Sequence, residues 1–375
     1  MDYKNIEINI IRNNNDWKDL LNLPWSVYKG NQNWVPPLLS EVKEILDVKR
    51  NPFWEHAQRE LFLARRNGKV VGRIAAIIDD NHNSFHQEQT GFFGFFECVE
   101  DFEAAKALWI AAKNWLKERK MQIMRGPVNP SMNDECAFLL EGFDRPSVIM
   151  MPYTQPYYLK LAEQYGLRKA KDLYAFIKNK EDGIPERIER MVEIVKKKTG
   201  VKIRSFDTNN FEKDVQNIKD IYNSAWEKNW GFVPMTDREI DLMAIKLKQF
   251  FEPKLTLFAE IDNKPVGVVL TVPDMNQVLI KLNGKLGLIG ILKYFYYKRK
   301  ITGARSLVAG IKKEYRNSGI IAVLFYETLR TAIQLGYEWG EIGWNLEDNY
   351  LINQFDSDIG GKIYKKYRIY EMKIN

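Results

Sequence analysis

The sequence predicts an α/β protein with a mixed sheet, built as two tandem copies of one domain. Three observations carry this. Strand-like and helix-like segments alternate along the chain, the same order of segments recurs after about 195 residues, and a strand, a basic glycine-bearing turn and a helix follow one another from Ala304 to Tyr337.

The first half opens with an alternating strand over residues 5–11 and a helix-like stretch, Asp16 to Tyr28, interrupted by Pro24. A loop with Asn31, Trp34, Val35, Pro36 and Pro37 follows. ELFLARR and VVGRIAAII flank Asn-Gly and read as a hairpin. Then come the strand GFFGFFECV, the helix EAAKALWIAAKNWLKERK, the strand MQIMRG, a turn-rich insertion, a short helix from Tyr157 to Tyr165 ended by Gly166, and the strand LYAFI. The second half repeats this order with a strand at 201–206, a helix at Val215–Trp226, an aromatic loop at Asn229–Pro234, and a hairpin, LTLFAEI and PVGVVLTV, around DNK.

Gly267 and Gly72 are 195 apart, as are Ala259 and Ala64, Lys264 and Lys69, and Val266 and Val71; Gly360 and Gly166 are 194 apart. Offsets this steady across matching elements argue for duplication. The boundaries that follow are residues 1–180, a linker at 181–200 built on the charged amphipathic helix PERIERMVEIVKKKTG, and residues 201–375. The second half alone inserts the apolar segment LGLIGILKYFYYKRK, read as a core or lid helix in preference to a lipid-facing element.

Composition narrows the function classes. The 375 residues suffice for about two domains, and 45% hydrophobic with 13% aromatic residues excludes a disordered chain. The net charge of +7 is dispersed; it suits an anionic ligand and lacks the basic stripe of a nucleic-acid binder. Cys98 and Cys136 alone give neither a disulfide framework nor a CxxC metal signature. The N-terminus MDYKNIEINI has charges where a signal peptide needs an apolar core, so the expected location is cytoplasmic. The most apolar run, Leu286 to Tyr297, is broken by Lys293 and too short to span a bilayer, so stable membrane insertion is not expected. His82 and His86 share a polar stretch read as a surface loop, with no metal expected. No feature sets an oligomeric state.

The stretch around Arg316 carries the chemistry. A strand (Leu307, Val308, Ala309, Ile311), a turn with Lys312, Lys313 and Arg316, and a helix with Val323, Leu324, Leu329 and Ile333 aim free backbone N–H groups at an anion. Gly319 permits a close backbone approach. Trp226, Asn229, Trp230 and Phe232 cluster after the first helix of the second half, and Asp274 and Asn276 follow its third strand. This composition suits an amine acceptor, with Trp226, Asn229, Trp230 and Asp274 as substrate-binding candidates. Glu341, Glu347 and Asp348 lie at the end of the fifth strand, and strand alternation through Trp339, Glu341 and Gly343 places Glu341 on one face.

With Arg316, Asn317, Ser318, Gly319, Ile320 and Ile321, the second half resembles the GNAT acyltransferase superfamily, whose phosphate motif is Arg or Gln, two residues, Gly, one residue, then Gly or Ala. Ile321 departs from the last position. Asn349 and Gly360, 11 apart, resemble a second motif, but Asp356 stands where the family often has the Tyr that protonates the leaving thiolate. The resemblance implies two tandem GNAT-like domains. It implies acetyl-CoA or another acyl-CoA as co-substrate, held by the backbone of Ala309 and Ile311, by residues 316–321 and by Asn349. The amine of a small molecule or peptide would attack the thioester directly, with Glu341, then Glu347, as candidate bases. Acetyl is the acyl group this likeness favours. The first half looks like a diverged copy: Glu97, Glu100, Asp101 and Glu103 follow its fourth strand, where they would repel a pyrophosphate, and Ala162 replaces the Tyr in LAEQYGL. Its expected role is substrate binding or scaffolding. The alternatives are a non-catalytic ligand-binding relative and an aminoacyl transferase of the peptidoglycan-bridge kind.

Overall fold

The computed structural model describes residues 6–226 and 229–374, and the chain divides into two compact units. Unit 1 comprises Met1–Asp172, Leu279–Lys293 and Lys366–Asn375; unit 2 comprises Leu173–Val278 and Tyr294–Lys365.

Unit 1 opens with β1 (Ile6–Ile10) and α1 (Asn14–Val27), the latter capped by the Asn13 side chain, which accepts from the N–H groups of Asn15 and Asp16. Residue 5 of the expected strand lies outside the described residues. Pro24 does not interrupt α1 as expected. Its missing N–H leaves the Leu20 carbonyl without an intrahelical donor, and the buried Arg73 donates Nη1 to that oxygen at 2.7 Å instead. After α2 (Leu39–Ile45), β2 (Ala57–Arg66) and β3 (Lys69–Asp79) form the predicted hairpin, with positive φ at Asn67 and Gly68 as a tight two-residue turn requires.

The next segment, α3 (Asp80–His86), corrects the surface-loop reading of the histidines. Asp79 caps it by accepting from the N–H groups of Asn81 and His82, which outweighs the turn-forming Asn and Ser content, and His82 is buried. The His82 and His86 rings are 4.5 Å apart, yet among the described residues no cluster of three metal-ligating side chains forms.

β4 (Thr90–Cys98), α4 (Phe102–Glu118) and β5 (Ile123–Gly126) make a parallel crossover. Leu108, Trp109, Ala112 and Leu116 of α4 bury themselves in the unit 1 core, Trp109 stacking on Phe96 at 4.7 Å. The inserted loop holds β6 (Val128–Asn129), β7 (Glu135–Cys136) and β8 (Phe138–Glu141); α5 (Tyr157–Tyr165) and β9 (Arg168–Asn179) follow.

Past β9 the chain runs through α6 (Glu186–Thr199), β10 (Lys202–Ser205), α7 (Phe211–Trp226), α8 (Asp237–Lys248), β11 (Thr256–Ile261), β12 (Lys264–Pro273), α9 (Asn276–Leu282) and α10 (Leu288–Lys298). β13 (Gly303–Ile311), α11 (Ile320–Gln334) and β14 (Trp339–Leu346) repeat the crossover, and α12 (Tyr350–Asp358) and β15 (Lys362–Lys373) end the chain. The duplication is visible in detail. The β11–β12 turn again has positive φ at both residues, Asp262 and Asn263, and its register shifts at Ala259/Glu260 just as β2–β3 shifts at Ala64/Arg65.

The unit 1 sheet runs β1-β2-β3-β4-β5 and then residues 370–373 of β15, antiparallel to β5. The unit 2 sheet runs β10-β11-β12-β13-β14 and then residues 173–179 of β9, antiparallel to β14. The last strand of each half of the sequence therefore completes the sheet formed mostly by the other half. α6, expected as a linker, buries Ile188, Val192 and Val195 with Val323, Leu324 and Phe325 of α11 in the unit 2 core. The core reading of the apolar insertion is overturned: Leu288 of α10 is 86% exposed and Leu292 72%.

Candidate active site

β13 and β14 run side by side only from Gly303–Trp339 to Ser306–Ile342. Beyond that point β14 follows β9, while Val308–Ile311 stays paired with β12 alone. Among the described residues no strand covers the other edge of β13 there. An unpaired strand edge is a row of backbone donors and acceptors available to an extended ligand. Ala309 and Ile311 lie on this stretch.

The turn that follows is held by its own polar groups. Arg316 Nη2 donates to the carbonyls of Ser224 (2.9 Å) and Ala225 (3.0 Å) near the end of α7. Ser318 Oγ donates to the Tyr315 carbonyl and accepts from the Ile320 N–H at 3.3 Å. Asn317 is exposed. Gly319 is the N-cap of α11 at φ +80° and brings no side chain to cap that helix. A Cβ on Gly319 would lie 2.8 Å from Val195 Cγ2, so conformation and space both demand glycine. Ile320 is buried, and Ile321, the departure from the motif, packs against the unit 2 core.

The aromatic candidates assemble against the open strand. Trp226 stacks obliquely on Tyr222 (4.8 Å between centroids), Tyr222 meets Phe232 (5.5 Å), and the Trp226 ring lies so close to Gly310 that a Cβ there would come within 2.7 Å of it. The Asn229 N–H donates to the Trp226 carbonyl at 2.8 Å, and Trp230 beside it is half-buried. Asp274 is not beside this cluster, contrary to the sequence reading. It lies just past the end of β12, six residues from Val268, the partner of Gly310, and so up to about 20 Å away.

Asp274 belongs to a buried polar group at the point where β13 and β14 part. Glu341, 1% exposed, is the register partner of Arg305, whose Nε lies 3.1 Å from its Oε1. The Tyr364 hydroxyl donates to Glu341 Oε2, and Tyr364 itself is half-buried. Burial pushes the Glu341 carboxyl up to about 7; Arg305 and Tyr364 pull it down and Asp274 pushes it up. Glu347 lies just past the end of β14, six residues on in the chain, and is half-buried. Asn349 is the N-cap of α12, without a side-chain cap bond.

A second buried acid was not singled out as one from the sequence. Asp356 on α12 is 0% exposed and accepts from Asn345 Nδ2 at 2.6 Å, while its Oδ1 has no hydrogen-bond partner. Burial pushes it up to about 7, with the Asn345 bond opposing. The missing motif Tyr pointed to this position without showing that its replacement would be shut off from water.

A relative of nearly the same length is Protein YghO of Escherichia coli K12, 35% identical over 370 residues and covering 96% of this chain and 94% of that protein. A bacterial ceramide synthase of Caulobacter vibrioides is 35% identical over 362 residues, covering 94% of each. Among solved structures, a tandem GNAT protein from the clavulanic acid biosynthesis pathway aligns over 99% of both chains with a TM-score of 0.58 at 12% identity. A GCN5-related N-acetyltransferase from Sphaerobacter thermophilus aligns over 99% of this chain and 96% of its own with a TM-score of 0.54 at 13% identity. At such identities the likeness is one of fold, and it bears out the tandem GNAT-like, mixed α/β architecture read from the repeat. No protein-family model matches the chain.

Proposed function

The chain belongs to the family of the bacterial ceramide synthase and YghO and has the tandem GNAT acyltransferase fold, and from that premise we propose that it transfers a long-chain acyl group from acyl-coenzyme A to the amine of a lipid-like amino alcohol. The observation that carries the transfer reading is the open edge of β13 running from the buried Glu341 group to the Gly319 turn. Likeness of fold favours acetyl as the acyl group. A ceramide, however, is a fatty amide of a long-chain amino alcohol, and a 35% identical relative of equal length that bears that name favours the longer chain and the lipid amine. An acyl-CoA donor places the reaction in the cytoplasm.

In this reading the backbone of Ala309 and Ile311 pairs with the pantetheine arm, the turn at residues 316–321 faces the pyrophosphate with the N–H groups of Asn317, Gly319 and Ile321, those of Ser318 and Ile320 being taken up within the turn, and Asn349 holds the donor from the α12 side. The thioester supplies the activated acyl carbon. The amine nitrogen forms the amide bond while the carbon–sulfur bond breaks. Glu341, ionised in part near neutral pH, takes the ammonium proton through Tyr364, and Asp356, protonated in part at the same pH, supplies the proton that the departing thiolate needs. No covalent acyl-enzyme is required, and the two cysteines are buried in unit 1, where burial pushes the Cys98 thiol far up and leaves it unreactive.

Thermal unfolding with and without a long-chain acyl-CoA tests the binding half. At a hundredfold excess over its dissociation constant the donor adds about 2.7 kcal/mol of stability. Incubation with a long-chain aminodiol, read by mass spectrometry for the amide, tests the chemistry. A melting temperature indifferent to millimolar acyl-CoA, together with no amide, would sink the proposal.

A further inference from the structure

We infer that α10 is a docking element for an anionic lipid surface, lying in the headgroup plane with its apolar face down. Seven of the seventeen exposed large hydrophobic residues among the described residues fall between Leu286 and Tyr296. Leu288, Ile289, Leu292, Phe295 and Tyr296 share one face of the helix, spaced i, i+1, i+4, i+7 and i+8, and are exposed by 86, 73, 72, 60 and 56%. A contiguous stripe of this kind marks an interaction surface, whereas single exposed apolar residues do not.

The charge around the stripe selects the partner. Between residues 281 and 300 the chain carries Lys281, Lys285, Lys293, Lys298, Arg299 and Lys300 and not one acidic residue; the nearest acids are Asp274 and Glu314. Apolar side chains flanked by lysines and accompanied by tyrosines fit the boundary of an anionic bilayer, where acyl chains receive the first and headgroups the second. An apolar protein partner would not require that basic rim. The helix is held from its other side, Lys298 Nζ donating to the Gln249 carbonyl at 3.1 Å and Tyr294 Oη to the same oxygen at 3.5 Å. Its eleven residues span about 16 Å, well short of a bilayer, so it lies on the surface and does not cross.

Co-sedimentation of the full chain with vesicles of phosphatidylcholine, with or without a third of phosphatidylglycerol, tests this without acyl-CoA and so apart from the transfer chemistry. The expected result is recovery with the phosphatidylglycerol vesicles and at least tenfold weaker partition onto pure phosphatidylcholine. The double substitution Leu288→Glu with Leu292→Glu should weaken partition at least tenfold while leaving the melting temperature in place, since both side chains are exposed. The inference fails if the wild-type chain stays in the supernatant, if the double variant sediments as well as wild type, or if both vesicle types bind equally. It also fails if analytical ultracentrifugation shows a dimer that the double substitution dissolves while vesicles go unbound, since α10 would then cover a second copy of this chain.

Discussion

α4 and α11 occupy corresponding places in the two halves, each following a strand that parts from its parallel neighbour, and they differ in what fills the gap. In unit 1, β4 and β5 part after Phe92 and Arg125, and the chain's own β6 enters the opening: Asn129 Oδ1 accepts from the Phe95 N–H at 2.6 Å, and a Cβ on Gly94 would sit 1.7 Å from the Val128 carbonyl oxygen. The α4 N-terminus is closed as well. Asp101 accepts from the Ala104 N–H and is held by Arg66 through Nε at 2.8 Å and Nη2 at 3.0 Å. In unit 2 the corresponding strand edge is open and the helix starts at a glycine, with the neutral Ser318 hydroxyl and no carboxylate at its first N–H. Duplication has kept the frame, and the two copies diverge where an anion would bind. In one a carboxylate is built in at the helix start and in the other it is not, the difference on which the proposed donor site rests.

The largest expected effect comes from the proton carrier in the open copy. Glu341→Gln should lower kcat by roughly 10²- to 10⁴-fold with acyl-CoA binding retained, checked by steady-state rates beside thermal shifts. The wild-type rate should pass through a maximum near pH 7, its rising limb set by Glu341 ionising and its falling limb by Asp356 losing its proton, and the rising limb should vanish in the variant. Stability has no such maximum. A carboxyl whose pKa is raised on folding holds its proton in the native state after the unfolded chain has lost it. Wild-type stability therefore falls from about pH 4.5 to about 7 and levels off above, with Asp356 contributing in the same direction. Urea unfolding across that range should show a shallower fall in Asp356→Asn.

Gly319→Val comes next and tests whether an open turn needs its glycine. It should erase the acyl-CoA-dependent stabilisation of about 2.7 kcal/mol, because a branched side chain fits neither φ +80° nor the 2.8 Å to Val195. A full thermal shift in that variant would move the donor site elsewhere. Arg316→Glu puts a carboxylate against the Ser224 and Ala225 carbonyls and reverses the charge of the turn. Acyl-CoA affinity should fall about tenfold, or about 1.4 kcal/mol, as read by calorimetry. The smallest effect belongs to the closed copy. Asp101→Ala removes a helix cap and should cost about 1 kcal/mol of stability, and acyl-CoA affinity should not change. A rise in affinity there would mean that unit 1 is closed by that carboxylate alone.

Local signals were legible in the sequence. Asn67-Gly68 and Asp262-Asn263 announced the hairpins because few residues tolerate paired positive φ, and the 195-residue offset recurs in the register shifts at Ala64 and Ala259. Gly319 was legible for the same reason. What escaped depends on partners distant in the chain. Pro24 looked like a break because nothing nearby shows that Arg73 serves Leu20. Asp274 seemed to belong with Trp226 because sequence order hides the length of β12. The contact of Glu341 with Tyr364 joins β14 to β15, two strands that are not neighbours in the sheet and whose approach no local pattern encodes. The core alternative for α10 failed because its composition suits a core and a surface equally well, and exposure alone tells the two apart.

The exchanged last strands have a consequence for synthesis. A chain leaving the ribosome makes β1 to β5 early, but the segment that pairs with β5, Tyr370–Lys373, emerges nearly 250 residues later. Unit 1 must therefore wait with one sheet edge unprotected until residues 370–373 have been made, and a chain cut after residue 365 would leave that edge exposed. The first gene half expressed alone should aggregate, and adding the second half in trans should restore it.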